Sequence, residues 1–410
     1  MPSRSRSIAV SLCAVGVIGS TGAQAAGFQL LEQNASGLGN AYAGSAAIAE
    51  DASTIFFNPA GMTRLKGGNL VGAINAIKPS AEFQNSVSNP ALGFNTGGDA
   101  GSWAFVPNLY YAHAIHPDWS VGLAINSPFG LKTQYDAGWI GRLQGVDSSL
   151  KTIAITPSVA YRINEMFSVG AGVTAQYADA QLTSAAGLGP LGPIAKATGS
   201  DWGVGWNAGV LVQPLSNFRM GLSYRSSISE SLEGTFTSPG RISTGDRADL
   251  RTPATTTLSA VLDLDSQWQL LADIGWTQWS SFQSLTIINT VTGGALARTV
   301  ENWRDTWRFA GGVNYRFSEQ WKFRAGVAYD QSPVSDEHRT VRIPDSDRTW
   351  LAIGVQYQLA PQTAIDVGYA HVFFSSAPIN QTFPVGSRLN VTGSFDDSVD
   401  IIGMQFTQGF

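Results

Sequence analysis

Apolar and polar residues alternate with a period of two along most of this chain. From 321 to 329, every second residue is apolar (Trp321, Phe323, Ala325, Val327, Tyr329), and the residues between them are Lys, Arg, Gly and Ala. The alternation recurs over 307–317, 167–175 and 119–125. A period of two predicts β-strands. Because the opposite faces hold small residues and isolated charges, the pattern predicts strands with one side in lipid and the other facing a lumen.

Fourteen segments follow this pattern. They are 68–78, 103–115, 119–127, 152–163, 167–178, 203–213, 218–227, 255–263, 267–276, 306–317, 321–329, 348–359, 363–372 and 399–410. Such lengths match tilted strands that cross an apolar band of about 25 Å, and an even number suits a single-chain barrel. We predict an all-β fold, a 14-stranded antiparallel transmembrane β-barrel over residues 68–410.

The connections between these segments alternate between tight and long. Tight turns such as His116-Pro117-Asp118 and Pro361-Gln362 are each followed by a much longer connection such as 179–202, 228–254 or 277–305. Short turns on one rim and long loops on the other are typical of outer-membrane barrels. The aromatic residues that follow tight turns predict a periplasmic girdle: Trp119, Phe167, Phe218, Trp268 and Trp321.

The two ends of the chain carry processing and assembly signals. Arg4 and Arg6 precede an apolar stretch, and the small residues Ala23 and Ala25 follow it. This order predicts a signal peptide over residues 1–25 that is cleaved after Ala25. The alternative is a transmembrane helix. Such a helix needs about 20 apolar residues, and the apolar stretch here has nearer a dozen. The terminal aromatic Phe410 resembles the signal that the outer-membrane assembly machinery reads.

Residues 26–67 do not belong to the strand array. They are rich in Gly, Ala and Ser. The segment is too polar to lie in lipid and too long to be only an unstructured N-terminal extension. Because they start on the short-turn rim, we predict that they fold into the lumen as a hatch, or plug.

Composition narrows the classes of function. The single cysteine, Cys13, lies in the predicted signal peptide, so the mature chain offers no Cys metal site or thiol nucleophile. Without the signal, 23 basic residues stand against 30 acidic ones, and this charge argues against nucleic acid as a partner. The four histidines lack metal-ligand spacing, and no serine has the glycine spacing of a hydrolase elbow. We expect no enzyme activity, cofactor or metal.

Several motifs in order resemble the FadL family of outer-membrane transporters for long-chain fatty acids and hydrocarbons. They are 27–30 (GFQL), 36–42 (SGLGNAY), 58–62 (NPAGM), 202–209 (WGVGWNAG), 279–282 (WSSF), 332–334 (SPV) and 343–345 (IPD). The resemblance covers nearly the whole mature chain. It implies a fourteen-stranded barrel with an N-terminal hatch, as the pattern alone predicts.

The resemblance also implies roles for individual residues. Phe28 matches a hatch phenylalanine near the internal ligand pocket that moves to release ligand; otherwise it is a buried anchor. Asn58-Pro59-Ala60 matches a hatch motif that sets the exit path; otherwise it is a structural turn.

The third predicted strand contains an interruption at Pro128-Phe129-Gly130. Proline cannot donate to a strand ladder, and a gap in the wall is costly unless something inside covers the freed groups. The resemblance implies an inward kink and a lateral opening here. The alternative is that the strand ends at Ser127.

Ligand contacts outside the hatch are predicted in two places. The apolar residues of 179–202 are expected to form an outer groove or to pack on one another: Leu182, Leu188, Leu191 and Ile194. Where fatty-acid members carry basic residues for the carboxylate, this chain has Ser184 and Thr299, with Arg298 adjacent. That departure favours neutral or aromatic cargo. Most lumen-side charges, including Arg219, Lys322 and Arg324, are expected to form internal ion pairs or hatch contacts.

Together these features predict passive uptake of hydrophobic compounds by an outer-membrane protein, here a monomer surrounded by outer-membrane lipid. The expected partners are long-chain fatty acids, with aromatic or aliphatic hydrocarbons as the alternative cargo. Two rivals remain, a general diffusion porin and an outer-membrane lipase. The predicted hatch argues against the porin. A lipase needs a serine and a histidine on the same face of the strands, and among the histidines only His371 could meet this requirement.

Overall fold

The computed structural model describes residues 27–86, 92–187, 192–240, 243–382 and 390–410, so the predicted signal peptide lies outside it. The strands are β1 (Gly68–Asn85), β2 (Ala104–His116), β3 (Trp119–Asn126), β4 (Gly130–Gln134), β5 (Asp147–Arg162), β6 (Phe167–Ala185), β7 (Ile194–Leu215), β8 (Phe218–Arg225), β9 (Ile228–Thr237), β10 (Thr244–Thr252), β11 (Thr255–Asp263), β12 (Trp268–Thr277), β13 (Ser284–Asn289), β14 (Ala295–Val300), β15 (Thr306–Arg316), β16 (Trp321–Asp330), β17 (Arg348–Ala360), β18 (Thr363–Phe374), β19 (Ala377–Thr382) and β20 (Asn390–Gly409).

Fourteen of these strands form a closed antiparallel barrel and are called staves here. They are β1, β2, β3, β5, β6, β7, β8, β11, β12, β15, β16, β17, β18 and β20, and each coincides with one predicted segment. Strand β20 pairs with β18 on one side and with β1 on the other, from Asn69↔Gly409 to Asn85↔Gly393. The predicted fold class and strand count are therefore confirmed.

Side chains alternate across the wall as the sequence predicts. In β16, Trp321, Phe323 and Val327 are exposed on the outside, whereas Arg324 and Ala328 are buried inside. Lipid takes the place of a protein core on the apolar side, so exposed aromatic residues carry no penalty there.

The strands extend further on the long-loop side than the sequence predicts. Strand β6 continues to Ala185 and β7 begins at Ile194, and their hairpin pairs through Ala185↔Ile194. Strands β9, β10, β13 and β14 add a sheet within the connections 228–254 and 277–305. These extensions lie beyond the lipid, and only a few of their residues, such as Leu232 and Leu250, are buried apolar ones, so the regular apolar alternation of a membrane strand is absent there.

Residues 27–67 fill the lumen. They contain three one-turn helices, α1 (Ala35–Leu38), α2 (Ser45–Ile48) and α3 (Thr54–Phe57), and a 3-10 helix, Pro59–Arg64. No helix in the described part of the chain is long and apolar enough to cross a membrane. Packing contacts or hydrogen bonds join this hatch to every one of the fourteen staves. Its backbone approaches the wall so closely that a side chain at Gly221 would collide with the Ala46 carbonyl.

Charged pairs hold the hatch in place. Glu50 accepts from Lys322 and Arg324, each at 2.9 Å, and Arg324 also pairs with Asp366 at 2.5 Å. On the other side of the lumen, Arg219 donates to the Ala47 carbonyl at 3.0 Å and pairs with Asp263 at 3.2 Å. The expectation that lumen charges form ion pairs or hatch contacts is confirmed for these residues.

The barrel seam ends at the C-terminal residue. The Phe410 amide donates to the Gly68 carbonyl at 2.9 Å, and the Gly68 amide donates back at 2.8 Å. The Phe410 ring stacks on Tyr111, with 6.1 Å between ring centroids. Recognition of Phe410 by the assembly machinery stays a prediction.

Candidate functional site

An aromatic chamber surrounds the first described residues of the hatch. Phe28 is 2% exposed, and its ring centroid lies 4.8 Å from that of Trp279, 5.6 Å from those of Phe282 and Trp303, and 6.0 Å from that of Phe129. All four of these contacts are tilted or edge-to-face, and edge-to-face contacts are among the arrangements that aromatic rings favour. Phe28 therefore fills a site whose nearest ring neighbours are the four aromatic side chains of Phe129, Trp279, Phe282 and Trp303.

The chamber wall comes from distant parts of the chain. Trp279 and Phe282 lie in and just after a 3-10 helix, Trp279–Ser281, that follows β12, and Trp303 precedes β15. Further buried apolar residues complete the cluster: Leu131, Leu150, Ala178, Leu232, Leu250, Val334 and Ile343. Gly27 has a φ of +61°, and a side chain there would collide with Trp303 and Trp279. Only glycine suits this position, because glycine adopts a positive φ without strain and has no side chain to collide with the two tryptophans.

Polar groups bind the backbone at the edge of the chamber. The Asp345 carboxylate accepts from the Gly27 amide at 3.0 Å and from the Ser332 hydroxyl at 2.7 Å. The Trp303 indole donates to Glu301 at 3.1 Å. Burial raises the pKa of Glu301 to about 7, although the indole hydrogen bond acts in the opposite direction.

The barrel wall is interrupted beside this chamber. Strand β3 ends at Asn126, opposite Ala154, and β4 begins at Gly130, opposite Lys151. Both strands pair with β5, so the wall strand resumes after the interruption and does not simply end at Ser127. Four residues advance on one strand against three on the other, which is the geometry of a bulge.

The hatch satisfies some of the backbone groups that this interruption frees, and Thr152 of β5 bonds both backbone groups of Phe129. The Leu30 amide donates to the Pro128 carbonyl at 2.8 Å, and the Gly130 amide donates to the Phe28 carbonyl at 2.9 Å. Gln29 and Phe129 form an isolated antiparallel bridge. Phe28 and the interrupted wall are therefore coupled, because the segment that carries the ring also completes the strand.

The other side of the interruption leaves a gap in the wall. Strand β2 pairs with β3 from Leu109↔Ile125 onward, and pairing of Ala104–Asn108 with β3 or β4 is absent from the described ladders. Beyond the gap the chains meet again, where the Gln134 amide donates to the Ala100 carbonyl at 3.1 Å. The gap lies next to Phe129, a wall residue of the chamber.

The Asn58-Pro59-Ala60 motif lies elsewhere in the lumen. Asn58 caps the 3-10 helix by accepting from the Ala60 amide at 3.1 Å, and it donates to Ala46 and Val210 carbonyls at 2.7 and 3.0 Å. The turn packs on β6 and β7, close to Gly170 and Gly209. These contacts fit a turn that anchors the hatch; its predicted role in the exit path stays a prediction.

The other predicted ligand residues do not join the chamber. Leu182 and Ile194 are half-buried on the extended β6–β7 hairpin, outside the cluster around Phe28 as the structure describes it. Arg298 is exposed on β14, opposite Thr286. Leu188 and Leu191 lie outside the described residues. A role for these residues in outer capture stays a prediction.

Sequence reasoning missed the aromatic partners of Phe28. Trp279 and Phe282 belong to a motif that carries the family resemblance, yet nothing in the sequence links it to residue 28. Trp303 stands in a long connection without a recognisable pattern. Pairing aromatic residues in the long connections with the hatch phenylalanine could have suggested them.

A closed barrel, a lumen filled by the N-terminal segment and an apolar chamber beside a wall gap define a plugged outer-membrane transport barrel. A family model described as "Outer membrane protein transport protein (OMPP1/FadL/TodX)" matches residues 16–410. The chain belongs to this family and is an outer-membrane β-barrel transporter.

Individual relatives agree with this assignment. The chain is 33% identical to the long-chain fatty acid transport protein of Salmonella typhi over 404 residues, which cover 90% of this chain and 92% of that protein. A crystal structure of a Pseudomonas aeruginosa FadL homologue superposes with a TM-score of 0.88 at 26% identity, covering 94% of this chain and 100% of the other. The Ralstonia pickettii toluene transporter TbuX shares the fold, with a TM-score of 0.67 at 19% identity over 91% of this chain and 99% of the other.

Proposed function

We propose that this protein takes up hydrophobic compounds passively across the outer membrane, with long-chain fatty acids as the main cargo. The Salmonella typhi relative, named a long-chain fatty acid transport protein, supports this cargo. Aromatic or aliphatic hydrocarbons are the second candidate, and the aromatic lining around Phe28 favours them.

The observation that carries the proposal is the Phe28 ring in its chamber. An apolar group already occupies a site of Trp and Phe side chains, so the site accepts apolar groups of that size. Fully burying a Phe side chain is worth about 1.5–3 kcal/mol. A hydrophobic molecule that replaces the ring gains a similar amount, and the hatch segment loses it.

Displacement of Phe28 then couples binding to exit. Moving the segment 28–30 breaks the hydrogen bonds to Pro128 and Gly130 and uncovers the interruption between β3 and β4. The ligand that has replaced Phe28 then lies beside the gap next to Ala104–Asn108 of β2. Lateral release through this gap keeps an apolar molecule out of water. Each step is binding or movement, and the scheme involves no catalysis and no cofactor.

Uptake measurements test both the cargo and the exit. The protein is expressed in cells that lack their own transporter, and uptake of labelled oleate or toluene is compared with that of cells carrying an empty vector. In a second arm, Pro128→Val with Gly130→Val replaces the interruption by strand-forming residues. We expect the wild type to raise uptake and the double variant to lose most of the gain.

The matched control is Pro157→Val with Gly311→Val. Pro157 lies within the continuous strand β5, opposite Leu123, where the pairing with β6 passes over Thr156 and Pro157 without a shift of register, and Gly311 faces open space on the outside of β15. This pair should transport like the wild type. Unchanged uptake by the Pro128/Gly130 variant would contradict lateral release, and equal uptake with and without the wild-type protein would contradict the function itself.

A further inference from the structure

A buried network of polar side chains joins the hatch to the two strands that border the wall gap. Its members are Gln33 of the hatch, Asn108 and Tyr110 of β2, and Asn126 at the end of β3, and none of them is more than 4% exposed. Buried polar groups are normally hydrogen-bonded, and a network of such bonds fixes the segments that carry it relative to one another. This network therefore sets how the hatch lies against the edges of the gap.

Gln33 lies at the centre of the network. Its Nε2 atom donates to the Ser127 carbonyl at 3.0 Å and to the Leu30 carbonyl at 2.9 Å, and its Oε1 atom accepts from Asn126 Nδ2 at 2.6 Å. The Tyr110 hydroxyl donates to the backbone carbonyl of Gln33 at 3.0 Å. Both N–H donors and the oxygen of the amide are thus engaged. One hatch residue therefore binds both β2 and the end of β3.

Asn108 continues the network to the other side of the gap. Its Nδ2 atom donates to the Glu32 carbonyl at 3.0 Å, and its Oδ1 atom accepts from the Ser127 amide at 3.4 Å. Ladder pairing between β2 and β3 begins one residue later, at Leu109↔Ile125. Side chains therefore replace ladder bonds at this end of the gap. Because a ladder uses backbone groups that nearly every residue carries, closure by side chains depends far more on the sequence.

Gln33 also connects this network to the backbone bridge between hatch and wall. The Leu30 carbonyl, which accepts from Gln33, belongs to the residue whose amide donates to Pro128. A movement of residues 28–30 must therefore break the bond between Gln33 and Leu30 or pull Gln33 away from Ser127. In both cases the movement of the hatch segment and the release of the end of β3 are linked through one amide group.

We propose that Gln33 is a positioning residue that acts as a latch on the wall gap. In the closed state it holds the end of β3 against the hatch, and loss of its bonds frees both. This inference rests on the proposed function and deepens it, because it names the side chain that regulates lateral release. Since Gln33 is not among the residues of the Phe28 chamber, it acts on the rate of exit and not on the affinity for cargo.

Hydrogen-exchange mass spectrometry of the purified full barrel tests the latch. Gln33→Met keeps the length of the side chain and removes the three bonds of its amide. We expect exchange at the Ser127 and Gly130 amides to become about tenfold faster, since one typical hydrogen bond corresponds to roughly a fivefold change. In cells, the maximal rate of oleate uptake should rise about two- to fivefold, again by the loss of such bonds, and the half-saturating concentration should stay the same.

Asn126→Leu tests the latch from the strand side. Leucine is close to asparagine in size and cannot donate to Gln33, so exchange at the same two wall amides should also accelerate. Combined with Gln33→Met it should add little, because both changes remove one shared interaction. Independent structural roles for the two residues would instead give additive effects. This variant also carries the test if Gln33→Met fails to fold.

The matched control is Gln405→Met. Gln405 is another buried glutamine between hatch and wall, but it lies on β20, where its Oε1 atom accepts from the Ala35 and Ser36 amides at 3.1 and 3.4 Å. This variant should speed exchange at Ala35 and Ser36 and leave the two wall amides at the wild-type rate. It thus loosens the hatch without touching the gap.

Three results would overturn the inference. The wall amides could exchange at the wild-type rate in both Gln33→Met and Asn126→Leu, or Gln405→Met could accelerate them equally, which would mean general loosening of the hatch. A higher half-saturating concentration in Gln33→Met without a faster maximal rate would show an effect on binding instead of exit. All three leave the proposed function standing, which fails only if wild-type uptake equals that of cells with the empty vector.

Discussion

Arg324 connects the barrel wall to the hatch through two carboxylates. Its side chain is 1% exposed and contacts Glu50 at 2.9 Å and Asp366 at 2.5 Å. Removing one partner from a buried ion pair leaves an uncompensated charge, which typically costs about 3–5 kcal/mol. We expect Arg324→Ala to lower the free energy of unfolding by this amount, measured by urea titration of the protein refolded into lipid vesicles.

Arg316→Ala provides the comparison at the residue scale. Arg316 is exposed on β15, and surface substitutions usually change stability by less than about 0.5 kcal/mol. If both arginine variants unfold at the same urea concentration, Arg324 does not hold the hatch as its contacts indicate.

At the residue scale, the sequence predicted the lumen-side positions of charged residues better than it predicted the contacts between aromatic residues. Strand alternation alone placed Arg219, Lys322 and Arg324 on the lumen side, and the structure confirms their internal pairs. The ring contacts of Phe28 could not be predicted in this way. Trp279 and Trp303 lie more than 250 residues away along the chain, outside any periodic element, so only tertiary packing brings the three together.

The element that most directly links hatch and wall is the backbone bridge between residues 28–30 and the interrupted strand. The Leu30 amide supplies one of its two hydrogen bonds. Leu30→Pro removes that donor, and a hydrogen bond is worth about 1 kcal/mol. We expect exchange of the Gly130 amide, which supplies the other bond, to become roughly five- to tenfold faster in hydrogen-exchange mass spectrometry.

Leu31→Pro tests whether this effect is specific. The Leu31 amide is not part of the bridge, so exchange at Gly130 should stay close to the wild-type rate. Equal acceleration in both proline variants would indicate general loosening of the hatch rather than a bridge at Leu30.

At the element scale, the membrane-spanning parts of the strands were predictable and their extensions were not. All fourteen predicted segments coincide with staves because lipid imposes a strict alternation on each crossing. Above the membrane that constraint ends, and β6, β7, β9, β10, β13 and β14 continue by pairing with one another. The interruption at Pro128 was visible because proline excludes an ordinary strand interior. Its cover by Phe28 and Leu30 required the three-dimensional structure.

The whole molecule is a barrel whose lumen is filled from wall to wall. Because the hatch contacts every stave, we expect the wild type to give no steady ion conductance in planar lipid bilayers, unlike a general diffusion porin. A variant without residues 34–64 should conduct, since those residues contain all the helices of the plug.

Two measurements support this comparison. A known porin in the same bilayers shows that the assay detects open channels, and heat-dependent gel migration shows whether the shortened variant is folded. Porin-like steps from the wild-type protein would contradict a sealed lumen and revive the porin alternative.

The position of the hatch in the chain has a consequence for the order in which we expect the protein to fold. Residues 27–67 directly precede β1, and β1 closes the cylinder by pairing with β20, the last strand. If the barrel closed first, the hatch would have to enter the lumen afterwards through one end of the closed barrel. Since each stave contacts the hatch, we expect the sheet to close around the hatch, with the seam between Gly68 and Phe410 formed last.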